Sequence, residues 1–175
     1  MIFHSCGDKE KRGQDMSVAA VREYLRQYGL EDRIIETEES SATVELAAKA
    51  VGTEPARIAK SMSFLVDGKP IIILLAGDVK TDNSKYKHTF HKKAAMIHQE
   101  QLPDLVGHPM GGVCPFAVRE GVTVYLDESL KRFDIVYPAA GSGASAVRLT
   151  IPELELSSRS AGWVDVSKPI AAPAE

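Results

Sequence analysis

The sequence predicts a single α+β domain built on a strongly curved mixed β-sheet or barrel flanked by helices. Segments with strand character outnumber those with helical spacing, and several are joined by short turns rather than helical crossovers. One strand candidate is apolar along its whole length and must be covered on both faces. At 175 residues the chain suits one ordinary domain.

Residues 1–16 read as a disordered leader, with the domain beginning near Met16. Ser17 caps a predicted helix whose apolar residues Val18, Val21, Leu25 and Tyr28 recur at helical spacing up to Gly29. A short strand is predicted over residues 33–37. Thr43 caps a second helix, VELAAKAV, which Gly52 terminates, and Thr53 and Pro55 suggest one more helical turn. The runs IAKSMSFLV and PIIILLAG flank Asp67-Gly68-Lys69, the pattern of a tight hairpin.

Beyond Gly77 the lysine-rich segment to His91 reads as a helix, followed by a short strand KAAMI and a helix near residues 99–106 with Pro103 in its first turn. Then come the loop GHPMGGVCP, the strand VTVYL, a turn or helix around residues 127–132, the strand DIVYPAA, the loop GSGAS and a last strand AVRLT. A short helix from Pro152 closes the domain near residue 156. Residues 157–175 read as a C-terminal tail, with KPIAAPAE disordered.

Composition excludes several classes. No apolar run approaches the roughly 20 residues of a membrane-spanning helix, and the N-terminus lacks a secretory signal pattern, so a soluble cytoplasmic protein is expected. Two cysteines, Cys6 and Cys114, provide no disulfide framework. A net charge of −3 argues against a protein that grips nucleic acid over its whole surface. Charge is nevertheless polarised. Residues 31–45 are acidic, while Lys80, Lys85, Lys87, Lys92 and Lys93 crowd one segment with His88 and His91. These are either two solvated faces or a local phosphate-contacting patch.

Alternation along IAKSMSFLV puts Lys60 on a face with Ile58, Met62, Phe64 and Val66. Such a lysine either carries its ammonium to water along an apolar stem or stands at a pocket rim, ready for phosphate, ribose hydroxyl or ester carbonyl. Residues 107–115 hold three glycines and two prolines. They form either a plain connecting loop or a shaped turn whose backbone N–H groups converge on negative oxygen. Cys114 reads as a simple buried thiol or as a nucleophile for a small-ester hydrolase. His88 and His91 with His98 or His108 lack a completing metal motif, and no metal is expected. In Gly141-Ser142-Gly143 the hydroxyl either orients a substrate or satisfies its own turn.

The series TVELAAKAVGTEPARIAKSMSFLVDGKPIIILLAGD, VGHPMGGVCPF and YPAAGSGASAVRLT resembles the YbaK family, also called prolyl-tRNA-synthetase-associated domains. The match covers about residues 17–156, and its most specific elements are Ile58-Ala59-Lys60-Ser61 and the G-x-x-x-P loop from Gly111 to Pro115. The resemblance implies a twisted mixed barrel flanked by helices that hydrolyses mischarged aminoacyl-tRNA without a cofactor. It places the family's lysine on Lys60, its loop glycine on Gly111 and its loop proline on Pro115, with Ser142 at a substrate-contacting position. Two positions depart from the pattern: Cys114 stands where serine is common and Ala117 where glycine is frequent, changes expected to alter the pocket lining.

Together these readings assign catalysis to Lys60 with the Gly111 and Gly112 amides, and substrate contact to Ser61, Val113, Cys114, Pro115, Gly141 and Ser142. They assign tRNA contact to Lys80, Lys85 and Lys87. The partners are mischarged aminoacyl-tRNA and, as a second candidate, an aminoacyl-tRNA synthetase. A non-catalytic tRNA- or synthetase-binding module and a thiol-dependent hydrolase are the competing readings.

Overall fold

The computed structural model describes the backbone of residues 6–170 and the side chains of residues 12–170. Its first helix, α1 (Cys6–Arg26), begins well before Ser17. Residues 6–16, read from sequence as a disordered leader, are therefore helical, and residues 1–5 lie outside the described residues. The physical reason is propensity: Lys9, Glu10, Lys11, Arg12, Gln14 and Met16 are good helix formers that extend a helix anchored further along. That anchor is the buried face of Val18, Val21 and Leu25.

A short strand, β1 (Ile34–Glu36), leads to α2 (Val44–Val51). Thr43 accepts a hydrogen bond from the Leu46 N–H, and Gly52 closes the helix at φ 77°. One 3₁₀ turn at Pro55–Arg57 delivers the chain into the central hairpin, β2 (Ile58–Val66) and β3 (Lys69–Ala76). Asp67 and Gly68 have φ values of 51° and 78°, the paired positive values that a two-residue turn matching strand twist requires. Ile71 through Ala76 are all buried, as a strand covered on both faces must be.

β4 (Val79–Thr81) and α3 (Asn83–Phe90) follow, with the Asp82 carboxylate capping α3 at the N–H groups of Ser84 and Lys85. A 3₁₀ turn, Gln99–Gln101, leads into the single-turn α4 (Leu102–Leu105). The remaining elements are β5 (Thr123–Asp127), β6 (Ile135–Pro138), β7 (Ser145–Val147), β8 (Leu149–Thr150), α5 (Ile151–Ser158), β9 (Trp163–Val164) and β10 (Ser167–Pro169).

Six strands form a strongly curled half-barrel in the order β8-β6-β2-β3-β5-β9, and β1-β7 and β10-β4 add two antiparallel pairs. The sheet is mixed: β2 runs antiparallel to β3 but parallel to β6, and β3 runs parallel to β5. β2 meets β6 only through Ile58 and Ala59, so beyond Ala59 that edge of β2 is open to other elements. This opening, at Lys60, positions the site.

Several local expectations are corrected. KAAMI contributes only a bridge between Met96 and Phe64, flanked by the bonds Leu65 N–H to Ala95 O and Ile97 N–H to Ser63 O. AVRLT divides into β7 and β8 because its two halves pair with different strands, β1 and β6. The predicted tail is ordered through residue 170. The buried Asp127 carboxylate accepts from the Val166 N–H at 2.9 Å and the Ser167 hydroxyl at 2.6 Å, tying β10 to the end of β5. Residues 171–175 lie outside the described residues. No helix among the described residues is long and apolar enough to cross a membrane.

Candidate active site

A cavity of about 310 Å³ opens where β2 leaves β6. Its walls come from β2 (Ile58 to Ser63), the start of α2 (Thr43, Val44, Ala47), Tyr137 of β6, and two glycine loops carrying Gly111 and Val113 on one side and Ser142 and Gly143 on the other. Met96 and Met110, each more than half exposed, stand at its mouth. Of the residues singled out from sequence, Lys60, Ser61, Gly111, Val113 and Ser142 line this cavity, whereas Gly112, Cys114, Pro115 and Gly141 do not.

Lys60 is the one cationic side chain among the residues lining the cavity. Burial of its ammonium lowers its pKa below the ordinary lysine value, and the charges of Asp78 and Glu45 oppose that shift. Asp78 is already committed to Arg132 through two contacts of 2.9 and 2.5 Å. Among the described residues Lys60 itself makes no ion pair, so a half-buried cation on the cavity lining lacks a direct partner and feels the Asp78 and Glu45 carboxylates only at longer range. The neighbouring Ser61 hydroxyl is buried with no hydrogen-bond partner among the described residues. An anionic or strongly polar ligand would relieve both conditions.

The two glycine loops meet backbone to backbone. A Cβ on Gly112 would fall 2.2 Å from the Gly141 carbonyl oxygen, and one on Gly111 only 3.9 Å from the Gly143 Cα. The Gly112 N–H, assigned from sequence to the ester carbonyl, instead donates to Pro109 O at 3.0 Å because residues 109–112 form a tight turn. Among the described residues the Gly111, Val113 and Gly143 amides have no protein acceptor, and all three residues line the cavity. The Ser142 hydroxyl donates to Ser145 Oγ and accepts from the Ala144 N–H, so it chiefly braces its own turn.

Cys114 is fully buried behind the loop, and burial pushes its thiol up to about 12. His108 Nε2 lies 3.5 Å from its Sγ, but that nitrogen faces the Phe116 carbonyl oxygen at 2.6 Å and so carries a proton, and a buried, protonated thiol beside it is a poor nucleophile. The Cys114 peptide is expected to resist iodoacetamide in the native protein and to react in urea, as followed by mass spectrometry. Neither Cys114 nor Ala117 lines the cavity, which corrects their assignment to its lining. Ala117 instead holds φ 52°, a left-handed conformation that favours glycine and accounts for the glycine frequent there in the resembling family.

Lys80, Lys85 and Lys87 also lie outside the cavity lining. Lys85 is engaged with Asp165 at 2.9 Å and with Ser167 O at 2.8 Å, whereas Lys80 and Lys87 are exposed. Among the described residues no group of three or more His, Cys, Asp or Glu is placed to hold a metal ion. Sequence reasoning missed Tyr137, which stands beside Ile58 in the β6–β2 register, and the exposed methionines at the mouth. A polar-tipped aromatic between the buried Val136 and Pro138 was the available signal for Tyr137.

Residues 38–156 match the family model described as the aminoacyl-tRNA editing domain. The chain is 47% identical over 154 residues to Uncharacterized protein YwhH of Bacillus subtilis (strain 168), a match covering 87% of this chain and 98% of that protein. It is 30% identical over 95 residues to a proline–tRNA ligase of Limosilactobacillus fermentum (strain NBRC 3956 / LMG 18251), covering 51% of this chain but only 17% of the ligase. The crystal structure of a candidate trans-editing enzyme for prolyl tRNA synthetase superposes with a TM-score of 0.79 at 27% identity, over 87% of this chain and 97% of that one. The chain belongs to the aminoacyl-tRNA editing domain family.

Proposed function

We propose that this protein is a trans-editing hydrolase that removes wrongly attached amino acids from tRNA. The observation that carries this reading is that one cavity is lined both by Lys60, which makes no ion pair among the described residues, and by Gly111, Val113 and Gly143, whose amides have no protein acceptor among them. An aminoacyl ester is already activated, so its hydrolysis needs a positioned water and stabilisation of the developing oxyanion rather than a strong nucleophile. The free amides hold the carbonyl oxygen, and Lys60 contacts the ribose or phosphate of the terminal adenosine. Similarity to the candidate trans-editing enzyme and to a segment of proline–tRNA ligase supports tRNA as the carrier of the ester.

The test is a deacylation panel in which the protein is incubated with correctly and incorrectly charged tRNAs and ester loss is followed. Loss from at least one mischarged tRNA, with the correctly charged species spared, is the expected result. Failure to accelerate hydrolysis of any of them overturns the reading.

For the body of the tRNA we assign contact to Lys80 and Lys87. Lys80 stands opposite Lys168 in the β4–β10 register, an arrangement of like charges that an anion would relieve. Lys80→Glu with Lys87→Glu should flatten the salt dependence of tRNA binding by about one unit of slope per lost phosphate contact. Lys85→Glu should disturb the Asp165 contact instead, and an unchanged slope in the double variant would eliminate this surface.

A further inference from the structure

Behind the cavity lies a buried polar cluster that the proposed chemistry does not use. His108, only 1% exposed, sits between Ser17 of α1 and the loop ending at Phe116. Its Nε2 lies 2.6 Å from the Phe116 carbonyl oxygen, which can only accept, so Nε2 carries the proton. In the neutral ring Nδ1 is then the acceptor, and the Ser17 hydroxyl donates a hydrogen bond to it at 2.5 Å. Burial favours this neutral form by lowering the imidazole pKa. The two bonds fix one tautomer and join α1 to the first glycine loop.

Ser17 also touches the second loop. A Cβ on Gly141 would fall 2.7 Å from the Ser17 carbonyl carbon and 2.8 Å from its Oγ. Gly141 in turn receives Gly112, whose added Cβ would lie 2.2 Å from the Gly141 oxygen. Ser17, Gly141 and Gly112 thus form a stack of close approaches, and Gly111 and Val113 on either side of Gly112, with Gly143 two positions beyond Gly141, line the cavity. α1 stands outside residues 38–156, the segment that matches the family model.

We propose that Ser17 and His108 are positioning residues, a clamp by which α1 sets the spacing of the two glycine loops and so the aim of the amides lining the cavity. The consequence for hydrolysis rests on the reading of that cavity as the ester site. The clamp itself is a property of the free protein. Misplacing a reacting group by about 1 Å can cost on the order of 10²-fold in rate, so small loop shifts are enough to matter.

The test compares Ser17→Ala, which deletes the clamp hydroxyl, with Val21→Ala, which loosens α1 one turn further on without touching the clamp. In the ¹⁵N-labelled full chain, Ser17→Ala is expected to move the amide resonances of Gly111, Val113 and Gly143 and to leave those of Ile72 and Ile73 in place. Val21→Ala is expected to lower the thermal midpoint while leaving the loop amides unmoved. In deacylation, Ser17→Ala should lower kcat by on the order of 10- to 100-fold with KM little changed, and Val21→Ala should not.

Imidazole ¹⁵N spectra of the unmodified protein should show His108 protonated at Nε2 alone. A proton on Nδ1, loop amides unmoved in Ser17→Ala, or equal effects of the two substitutions would each overturn the clamp. Should the parent protein hydrolyse no aminoacyl-tRNA, the proposed function falls while the resonance measurements still decide the clamp.

Discussion

Lys60→Met is expected to slow deacylation by on the order of 10²- to 10³-fold while raising the thermal midpoint of the protein. The methionine keeps an unbranched apolar stem against the cavity wall and removes only the charge. That charge is half-buried, lacks an ion pair among the described residues, and has its pKa lowered chiefly by desolvation. It therefore opposes folding in the free protein and is useful only when an anionic or developing negative group enters. Loss of one such electrostatic contact costs on the order of 10²- to 10³-fold in kcat.

The pH dependence has a definite sign. A lysine whose folded pKa is depressed contributes stability that is fully present above its unfolded value, about 10.4, and lost as pH falls through the folded value. The parent should thus gain stability as pH rises from the lowered folded value toward about 10.4, and Lys60→Met should lack that gain. Thermal unfolding across this range, with deacylation rates at neutral pH, checks both halves. Full activity in Lys60→Met would remove the ammonium from the mechanism.

What the sequence disclosed depended on the distance over which its physics acts. Thr43, Gly52 and the Asp67-Gly68 turn act on their immediate neighbours, and α2 and the central hairpin were legible from them. Lys60 was legible as an apolar-face cation, although only the fold decides between a snorkelling stem and a cavity wall. β9 and β10 are two and three residues long, too short for a periodic signal, and β10 is held by Asp127 about forty positions earlier. Ser17 looked like a helix cap because polar residues before an apolar stripe usually are. It lies inside α1 because the polar residues before it continue the helix, leaving its hydroxyl for His108. Gly112 was read as an amide donor from its adjacency to Gly111, but a loop thirty residues away and a local turn determine what it does.

That last distinction gives an expected result contrary to the motif. Gly112→Ala should be more damaging than Gly111→Ala, although Gly111 is the glycine of the G-x-x-x-P loop. At Gly111 an added Cβ has room, its nearest neighbour being 3.9 Å away, and the cost is the strain of φ 86°, about 1–2 kcal/mol. At Gly112 the Cβ would lie 2.2 Å from the Gly141 oxygen, 2.3 Å from its carbon and 2.7 Å from the Ser142 nitrogen, all backbone atoms. Gly141 has little room to retreat, because Ser17 of α1 stands so close that a Cβ built on Gly141 would fall 2.7 Å from the Ser17 carbonyl carbon. The two loops must separate, at an overpacking cost of about 1–3 kcal/mol, and the cavity amides separate with them. Gly112→Ala should therefore lose both thermal stability and nearly all deacylation, whereas Gly111→Ala should fold with a modest loss of each. A Gly112→Ala protein that melts with the parent and deacylates at its rate would show that the loops do not depend on this contact.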